Sequence, residues 1–228
     1  MAGGPAGSIG PMSAAEDQPT ARPGAEVRPL ARPEVADAAR ALARAFEGDP
    51  ALVSLFADPA RRARALRAFL TVPVADALDH GHVDALLVGG AVAGAAVWFP
   101  PGAYPFGVRR QLRALPRMLA VAAAAPREFR RLGRFGSNVD AAFPEDRPWY
   151  LCVVGVVPEA HGRGLGTRLL RPGLERCDAA GGDCYLETDT PEATRLYERL
   201  GFETIEARAR LLPGGPTHVR MRRPPAAA

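Results

Sequence analysis

Leu151-Cys-Val-Val-Gly-Val-Val-Pro-Glu-Ala-His-Gly-Arg-Gly-Leu-Gly166 is the stretch from which the fold of this chain is inferred. It begins with a continuous apolar run that ends at a proline, a pattern typical of a strand buried on both faces. Three closely spaced glycines and a helical segment follow. Backbone N–H groups at such a helix N-terminus bind phosphate without a basic side chain. Taken alone, the pattern also suits a tight connection in any α/β protein.

Two other kinds of phosphate loop do not fit these residues. The stretch has no Gly-Lys-Ser/Thr ending, so it is not a P-loop. A dinucleotide site requires an acidic residue at the end of the second strand of a parallel βαβ unit. Glu187 lies at about that separation, but it belongs to a different signature, Leu186-Glu-Thr-Asp-Thr-Pro191.

These segments together resemble the GNAT superfamily of N-acetyltransferases. Residues 156–166 resemble its acetyl-CoA loop, and residues 186–191 with Leu196-Tyr-Glu-Arg-Leu-Gly-Phe202 resemble the segment that follows the loop. Within the superfamily, the C-terminal third, including Arg171-Pro-Gly173, is most similar to puromycin N-acetyltransferase and its actinobacterial relatives. The N-terminal half, through Ala96-Val-Trp98, resembles that group more loosely.

The resemblance implies a single α/β (α+β) domain of GNAT type. We expect a mixed, mostly antiparallel central sheet of about six to seven strands, flanked by helices, with a splayed strand pair for acetyl-CoA. The domain is predicted to span residues 26–223, after a disordered tail at residues 1–25 that is rich in Gly, Pro, Ala and Ser. Residues 224–228 form a short C-terminal tail.

The resemblance also assigns roles in cofactor binding. The pantetheine arm is expected to bond along the strand at residues 154–156, with an N–H near Val156 polarising the thioester carbonyl, while loop N–H groups hold the pyrophosphate. His161 stands where the family usually has Gln or Arg, so we expect it to weaken cofactor binding or make it pH-dependent. The implied contacts are Val154, Gly155, Val156, His161, Gly162, Arg163, Gly164, Leu165, Gly166 and Thr167.

Acetyl transfer to an amine needs a base for the amine proton and an acid for the departing thiolate. Tyr197 is at the family's position for the acid, although its ring can instead simply pack between helix and sheet. Glu187 is the candidate base, acting through water, and the alternative is a buried carboxylate that only accepts hydrogen bonds from the backbone.

The rest of the chain is less informative. Residues 83–88 and 92–99 read as a β-hairpin around Gly89-Gly90. The insert at residues 105–148 contains eight arginines between Val108 and Phe135. Pro116 and Pro126 predict that it forms short helices connected by kinks. Nearby aromatic residues either line an acceptor pocket or fill the core: Trp98, Phe99, Tyr104 and Phe106.

Composition excludes several other classes of protein. The net charge of +4 and the pI of about 9.4 favour anionic ligands, but no nucleic-acid motif is present. The three cysteines form no disulfide pattern, which indicates a reduced cytoplasmic protein. The longest nearly uncharged run, residues 85–101, is too short and too rich in glycine to span a membrane. His80 and His82 lack further ligands at metal-site spacing, so no metal is expected.

The function that the resemblance implies is transfer of acetyl from acetyl-CoA to a primary amine in a ternary complex. The acceptor is expected to be a small molecule, such as an antibiotic or specialised metabolite, because the insert can cover its site; antibiotic resistance is the implied role. The alternatives are a protein N-terminal or side-chain acetyltransferase and a non-catalytic acyl-CoA-binding regulatory module. We expect a monomer or homodimer that binds neither nucleic acid nor membrane.

Overall fold

One seven-stranded sheet forms the centre of the computed structural model, which describes residues 24–212 and 214–226. The predicted N-terminal tail lies almost entirely outside these residues, as does the end of the C-terminal tail. The strand order is β1-β2-β3-β4-β5-β7-β6, and only β4 and β5 pair in parallel, so the predicted mixed, mostly antiparallel sheet is confirmed. The strands are β1 (Ala25–Pro29), β2 (His82–Val88), β3 (Ala91–Phe99), β4 (Trp149–Val156), β5 (Cys184–Thr188), β6 (Glu203–Arg210) and β7 (Thr217–Arg223).

Seven α-helices flank the sheet in the described part of the chain. Several begin at side-chain caps followed by proline, an arrangement that satisfies a free N–H group and fixes the first turn. The Asp58 side chain, for example, accepts a bond from the Ala60 N–H at the start of α3. The helices are α1 (Val35–Ala45), α2 (Pro50–Leu55), α3 (Pro59–His80), α4 (Val108–Ala124), α5 (Phe129–Ala142), α6 (Leu165–Ala179) and α7 (Pro191–Arg199). None of the described helices is long and apolar enough to cross a membrane.

The predicted break at Pro116 is wrong. Helix α4 continues through Pro116, and the chain leaves the helical conformation only near Pro126, between α4 and α5. A proline removes the hydrogen bond to the carbonyl four residues earlier, here that of Leu112. Both residues are exposed, so water can satisfy the freed carbonyl and the helix persists.

The two faces of the sheet carry separate cores. The α3 face, covered mainly by α1, α3 and the α4–α5 insert, contains Phe99, Tyr150 and Tyr185. The α6 face, covered by α6 and α7, contains Trp98 and Leu186. Neighbouring residues of β5 therefore point to opposite faces, as the two-residue period of a strand requires.

The parallel pair β4 and β5 separates along most of its length. Only Trp149 with Cys184 and Tyr150 with Tyr185 are paired, so β4 beyond Tyr150 has no partner on its β5 side. On its other side, the register with β3 shifts so that Cys152 has no opposite residue. Such a bulge bends a strand and increases its twist. The predicted splayed pair is confirmed, and it leaves a cleft that opens toward the end of β4.

Candidate active site

The cleft between β4 and β5 exposes one edge of β4. On the opposite edge β4 pairs with β3, and the Val157 N–H donates to the Ala93 carbonyl at 2.8 Å. Alternate N–H and C=O groups of a strand point to opposite edges, so those facing the cleft are open to a ligand that pairs as an extra strand. Val154, Gly155 and Val156, which the resemblance assigns to the pantetheine arm, lie on this open stretch.

Gly155 also has a packing role on this strand. A Cβ atom at this position would lie 2.8 Å from the Cβ of Ala45 and 3.2 Å from Leu42. Only glycine therefore allows α1 to approach β4 this closely.

The Gly-rich loop leads from β4 into α6. Gly162 and Gly164 have φ values of +72° and +68°, a left-handed conformation that glycine adopts without steric cost. Helix α6 begins directly afterwards at Leu165, and the N–H groups of its first turn have no partner within the helix. The exposed loop and this helix N-terminus together provide an anion site of the kind that binds a pyrophosphate. These residues fit acetyl-CoA.

Two side chains of the loop differ in their contacts. The imidazole Nε2 of His161 lies 2.8 Å from the Val156 carbonyl oxygen, so its N–H can donate to β4. No sequence pattern predicts this contact, which connects the loop to the strand. Arg163 is exposed and forms no ion pair within the described residues, so its charge is available beside the loop.

Tyr197 lies on the α6 face beneath the loop. Its helix, α7, is capped by Thr190, whose hydroxyl oxygen accepts a bond from the Ala193 N–H at 3.3 Å. The Tyr197 side chain is 6% exposed, and its ring centroid is 5.7 Å from that of Phe202. Burial raises the pKa of Tyr197, so the phenol keeps its proton at neutral pH, as a general acid must.

Glu187 lies on β5, two residues beyond the last pair with β4. Its carboxylate accepts hydrogen bonds from the Tyr150 hydroxyl at 2.9 Å and from the Tyr185 hydroxyl at 2.8 Å. Burial raises the pKa of Glu187, while the two phenols and the charge of Arg220 oppose the rise. Its partners are thus tyrosine side chains, and a carboxylate with a raised pKa is suited to accept a proton near neutral pH.

The two candidate catalytic residues lie on opposite faces of the sheet. Glu187 shares the α3 face with Tyr185, two positions before it, whereas Tyr197 packs on the α6 face. The cleft separates the two faces at this point, because β4 and β5 no longer pair there. A ligand in the cleft can therefore meet an acid from one side and a base from the other.

The aromatic residues that the sequence left undecided divide between the two faces. Trp98 is fully buried on the α6 face against Gly173. Phe99, Tyr104 and Phe106 belong to a ring cluster on the α3 face, in which Tyr104 lies 4.8 Å from Tyr150 between centroids. These residues fill the core, and Tyr150 connects the cluster to Glu187.

A pair of carboxylates at the start of α2 was missed by the sequence analysis. Asp49 accepts a bond from the Leu52 N–H and Asp189 one from the Ala51 N–H, each at 2.9 Å. Burial and the neighbouring Asp189 raise the pKa of Asp49 to about 7. Asp49 followed by proline predicts a helix cap, and no sequence pattern links it to Asp189, which directly follows β5.

No group of three or more potential metal ligands occurs in the described part of the chain. Of the two histidines considered as a metal pair, His82 stacks on Trp149, with ring centroids 5.9 Å apart.

Comparisons with known proteins agree with this geometry. The profile of the Acetyltransferase (GNAT) family matches residues 75–202. Over 67 residues the chain is 43% identical to a mycothiol acetyltransferase of Corynebacterium aurimucosum, covering 27% of this chain and 22% of that protein. It is 46% identical over 59 residues to the N-alpha-acetyltransferase RimI of Mycobacterium tuberculosis, covering 25% of this chain and 36% of RimI. The matches thus span only about a fifth to a third of these relatives.

A solved structure extends the likeness to the whole fold. A Corynebacterium glutamicum protein, described as histone acetyltransferase HPA2 and related acetyltransferase, superimposes with a TM-score of 0.64 at 24% identity. The superposition covers 90% of this chain and 98% of that one. With the family profile matching more than half of its length, the chain belongs to the GNAT family of acetyltransferases.

Proposed function

We propose that this chain transfers an acetyl group from acetyl-CoA to a primary amine of a small molecule. The observation that carries the proposal is the cleft itself. The open edge of β4 leads into a left-handed glycine loop at a helix N-terminus, with Tyr197 on one face and Glu187 on the other. A module that only binds acyl-CoA has no need for the last two residues.

The reaction follows from these positions. Glu187, through an intervening water, takes a proton from the amine as its nitrogen attacks the acetyl carbon. A backbone N–H near Val156 stabilises the negative charge that develops on the carbonyl oxygen. The carbon–sulfur bond then breaks, and Tyr197 gives its phenolic proton to the departing thiolate. The products are an N-acetylated acceptor and CoA.

The insert supports a small acceptor. Two hydrogen bonds hold helix α5 on the α3 face. Arg131 donates to the Ser54 hydroxyl at 3.0 Å, and the Asn138 amide donates to the Leu211 carbonyl at 2.5 Å. Phe143 at its end packs on Tyr185, with centroids 5.5 Å apart. A covered face of this kind suits a compact amine better than a protein chain. The proposal includes an antibiotic or specialised metabolite as the acceptor and, with it, a role in resistance. It also includes kinship with puromycin N-acetyltransferase and a cytoplasmic location.

The terminal amine of a peptide is the second candidate acceptor. The similarity to the N-alpha-acetyltransferase RimI favours it, because an N-terminal α-amine needs the same base and acid. It requires the covered face to admit only the first residues of a chain.

The test is release of CoA thiol from acetyl-CoA in the presence of small amines and of short peptides with free N-termini. We expect stimulation by small amines. Tyr197→Phe should slow kcat by about two orders of magnitude or more, as expected for loss of a general acid, while acetyl-CoA affinity measured by calorimetry stays unchanged. No release with any acceptor, despite acetyl-CoA binding, would indicate a non-catalytic module.

A further inference from the structure

A surface cavity of about 550 Å³ lies between helix α5 and the β6–β7 hairpin. Its walls are apolar where Ala141, Ala142 and Leu211 line it, and polar at Asn138, Arg210 and Arg220. Its volume lies within the roughly 300–1,000 Å³ of small-molecule sites, although its lining is mixed polar and apolar and it is open to solvent. The bond from Asn138 to the Leu211 carbonyl holds the two walls together.

The cavity adjoins the candidate base. Arg220 on β7 stands directly opposite Glu187 on β5 in the antiparallel register. Opposite residues of such a pair lie on the same face, with Cβ atoms about 4.5–5.5 Å apart. A molecule in the cavity is therefore one strand away from the group that would accept the amine proton.

The charges in the cavity favour an anion. Arg220 donates to Glu206 at 2.5 Å through Nη1, and its side chain remains 19% exposed. Arg210 is exposed and forms no ion pair in the described part of the chain, and the residues that line the cavity include two arginines and no carboxylate.

We propose that this cavity binds an anionic group, a carboxylate or a phosphate, of the acceptor whose amine is acetylated beside Glu187. Guanidinium groups bind both anions through paired, charge-assisted hydrogen bonds. The substrate class is then an amine that also carries an acidic group. Anion binding in the cavity does not depend on the proposed function. Only the statement that the bound anion belongs to the acceptor rests on it.

Direct binding tests the cavity without relying on catalysis. Calorimetry with 3-phenylpropionate and phenyl phosphate is compared with the neutral 3-phenylpropionamide. We expect the amide to bind at least tenfold more weakly than the preferred anion, and Arg210→Gln with Arg220→Gln to abolish the difference. Arg210→Gln alone breaks no ion pair, so this single variant replaces the double variant in the binding test if the double variant does not fold. Arg208→Gln, on the same strand, is the control. Equal binding of amide and anions, or anion binding that survives Arg210→Gln, would overturn the proposal.

Acetylation tests whether the bound anion belongs to the acceptor. CoA release with tyrosine and O-phosphoethanolamine is compared with release with tyrosinamide and ethanolamine. The amine of tyrosinamide is less basic than that of tyrosine, so amine basicity does not explain a preference for tyrosine. We expect at least tenfold higher kcat/KM for the preferred acid, lost mainly through KM in Arg210→Gln. Anion binding without CoA release from any amine would support the anion site but contradict the proposed function. CoA release with no preference for the acids would support the proposed function but overturn the assignment of the bound anion to the acceptor.

Discussion

The two sides of the cleft are built from different parts of the polypeptide. On the α6 side, the proposed anion site consists of backbone N–H groups presented by Gly162, Gly164 and the start of α6. On the α3 side, the groups facing a ligand are side chains, with Glu187 held by tyrosines from two strands. A backbone site depends on local conformation, whereas a side-chain site depends on residues that only the fold brings together.

This difference predicts which property of the protein a substitution on each side will change. Changes of side chain on the α3 side should affect chemistry, whereas an added Cβ atom on the α6 side should affect the fold. Glu187→Gln tests the first half of that statement, and Gly173→Ala tests the second.

The largest expected effect is that of Glu187→Gln. Glutamine keeps the size of the side chain and can accept from one of the two tyrosines while its amide N–H donates to the other, but it cannot take up a proton from the amine. We expect kcat/KM to fall by about 10²–10⁴, the range for loss of a general base. Steady-state CoA release measures it, and Glu203→Gln on exposed β6 is the control.

The pH profile adds a second readout for Glu187. Burial raises the pKa of Glu187 above its ordinary value, and the base is active only when ionised. Wild-type kcat/KM should therefore fall as the pH drops through a midpoint above about 4.3, the ordinary value for Glu. Glu187→Gln should lack this limb. Activity within tenfold of wild type with the limb intact would show that another group is the base.

A pair of glycine variants compares the helices of the two sides. A Cβ atom on Gly173 in α6 would lie 2.1 Å from the Trp98 ring, whereas one on Gly133 in α5 meets nothing within 4 Å. Gly173→Ala should lower the free energy of unfolding by about 1–3 kcal/mol through overpacking. Gly133→Ala should raise it by about 0.5–1 kcal/mol, because alanine favours the helix.

Denaturant unfolding followed by circular dichroism measures both glycine variants. Opposite signs would support the contrast between a tightly packed α6 and an open surface of α5. Equal effects would mean that α6 can shift away from the sheet to admit the methyl group.

The same contrast explains what the sequence could and could not predict. The apolar run of β4 and the glycines after it act locally, so the strand, the loop and the start of α6 were predicted at their observed places. The contacts of Glu187 with Tyr150 depend on a strand pair that forms across α6, and no local pattern encodes them. The predicted break at Pro116 was wrong because a single proline need not end a helix: α3 continues through buried Pro73 as α4 does through exposed Pro116.

The carboxylate pair on the α3 side, Asp49 and Asp189, should make the stability of the protein depend on pH. Because the pKa of Asp49 is raised to about 7, the folded protein binds a proton that the unfolded chain, with a pKa near 3.9, has already released. Wild-type stability should therefore fall as the pH rises between about 4 and 7. Asp49→Asn keeps the helix cap without the charge, so it should nearly match wild type at pH 4 and gain up to about 4 kcal/mol at pH 8, at about 1.36 kcal/mol for each of roughly three pKa units.

Thermal unfolding at the two pH values measures the effect of Asp49→Asn. Asp58→Asn, at the cap of α3, is the matched control, because the Asp58 side chain is 42% exposed and pairs with Arg61. A gain for Asp49→Asn that is the same at both pH values would argue against repulsion between Asp49 and Asp189.

The smallest expected effect is at His161, the one loop side chain that bonds to β4. Its imidazole, bonded to the Val156 carbonyl, holds the loop against β4, so His161→Gln should change the affinity for acetyl-CoA by about two- to tenfold, the worth of one hydrogen bond. Calorimetric titration with acetyl-CoA measures it, with His80→Gln at the end of α3 as control. If affinity is unchanged, the bond to the Val156 carbonyl only shapes the loop, and backbone N–H groups alone determine cofactor binding on the α6 side.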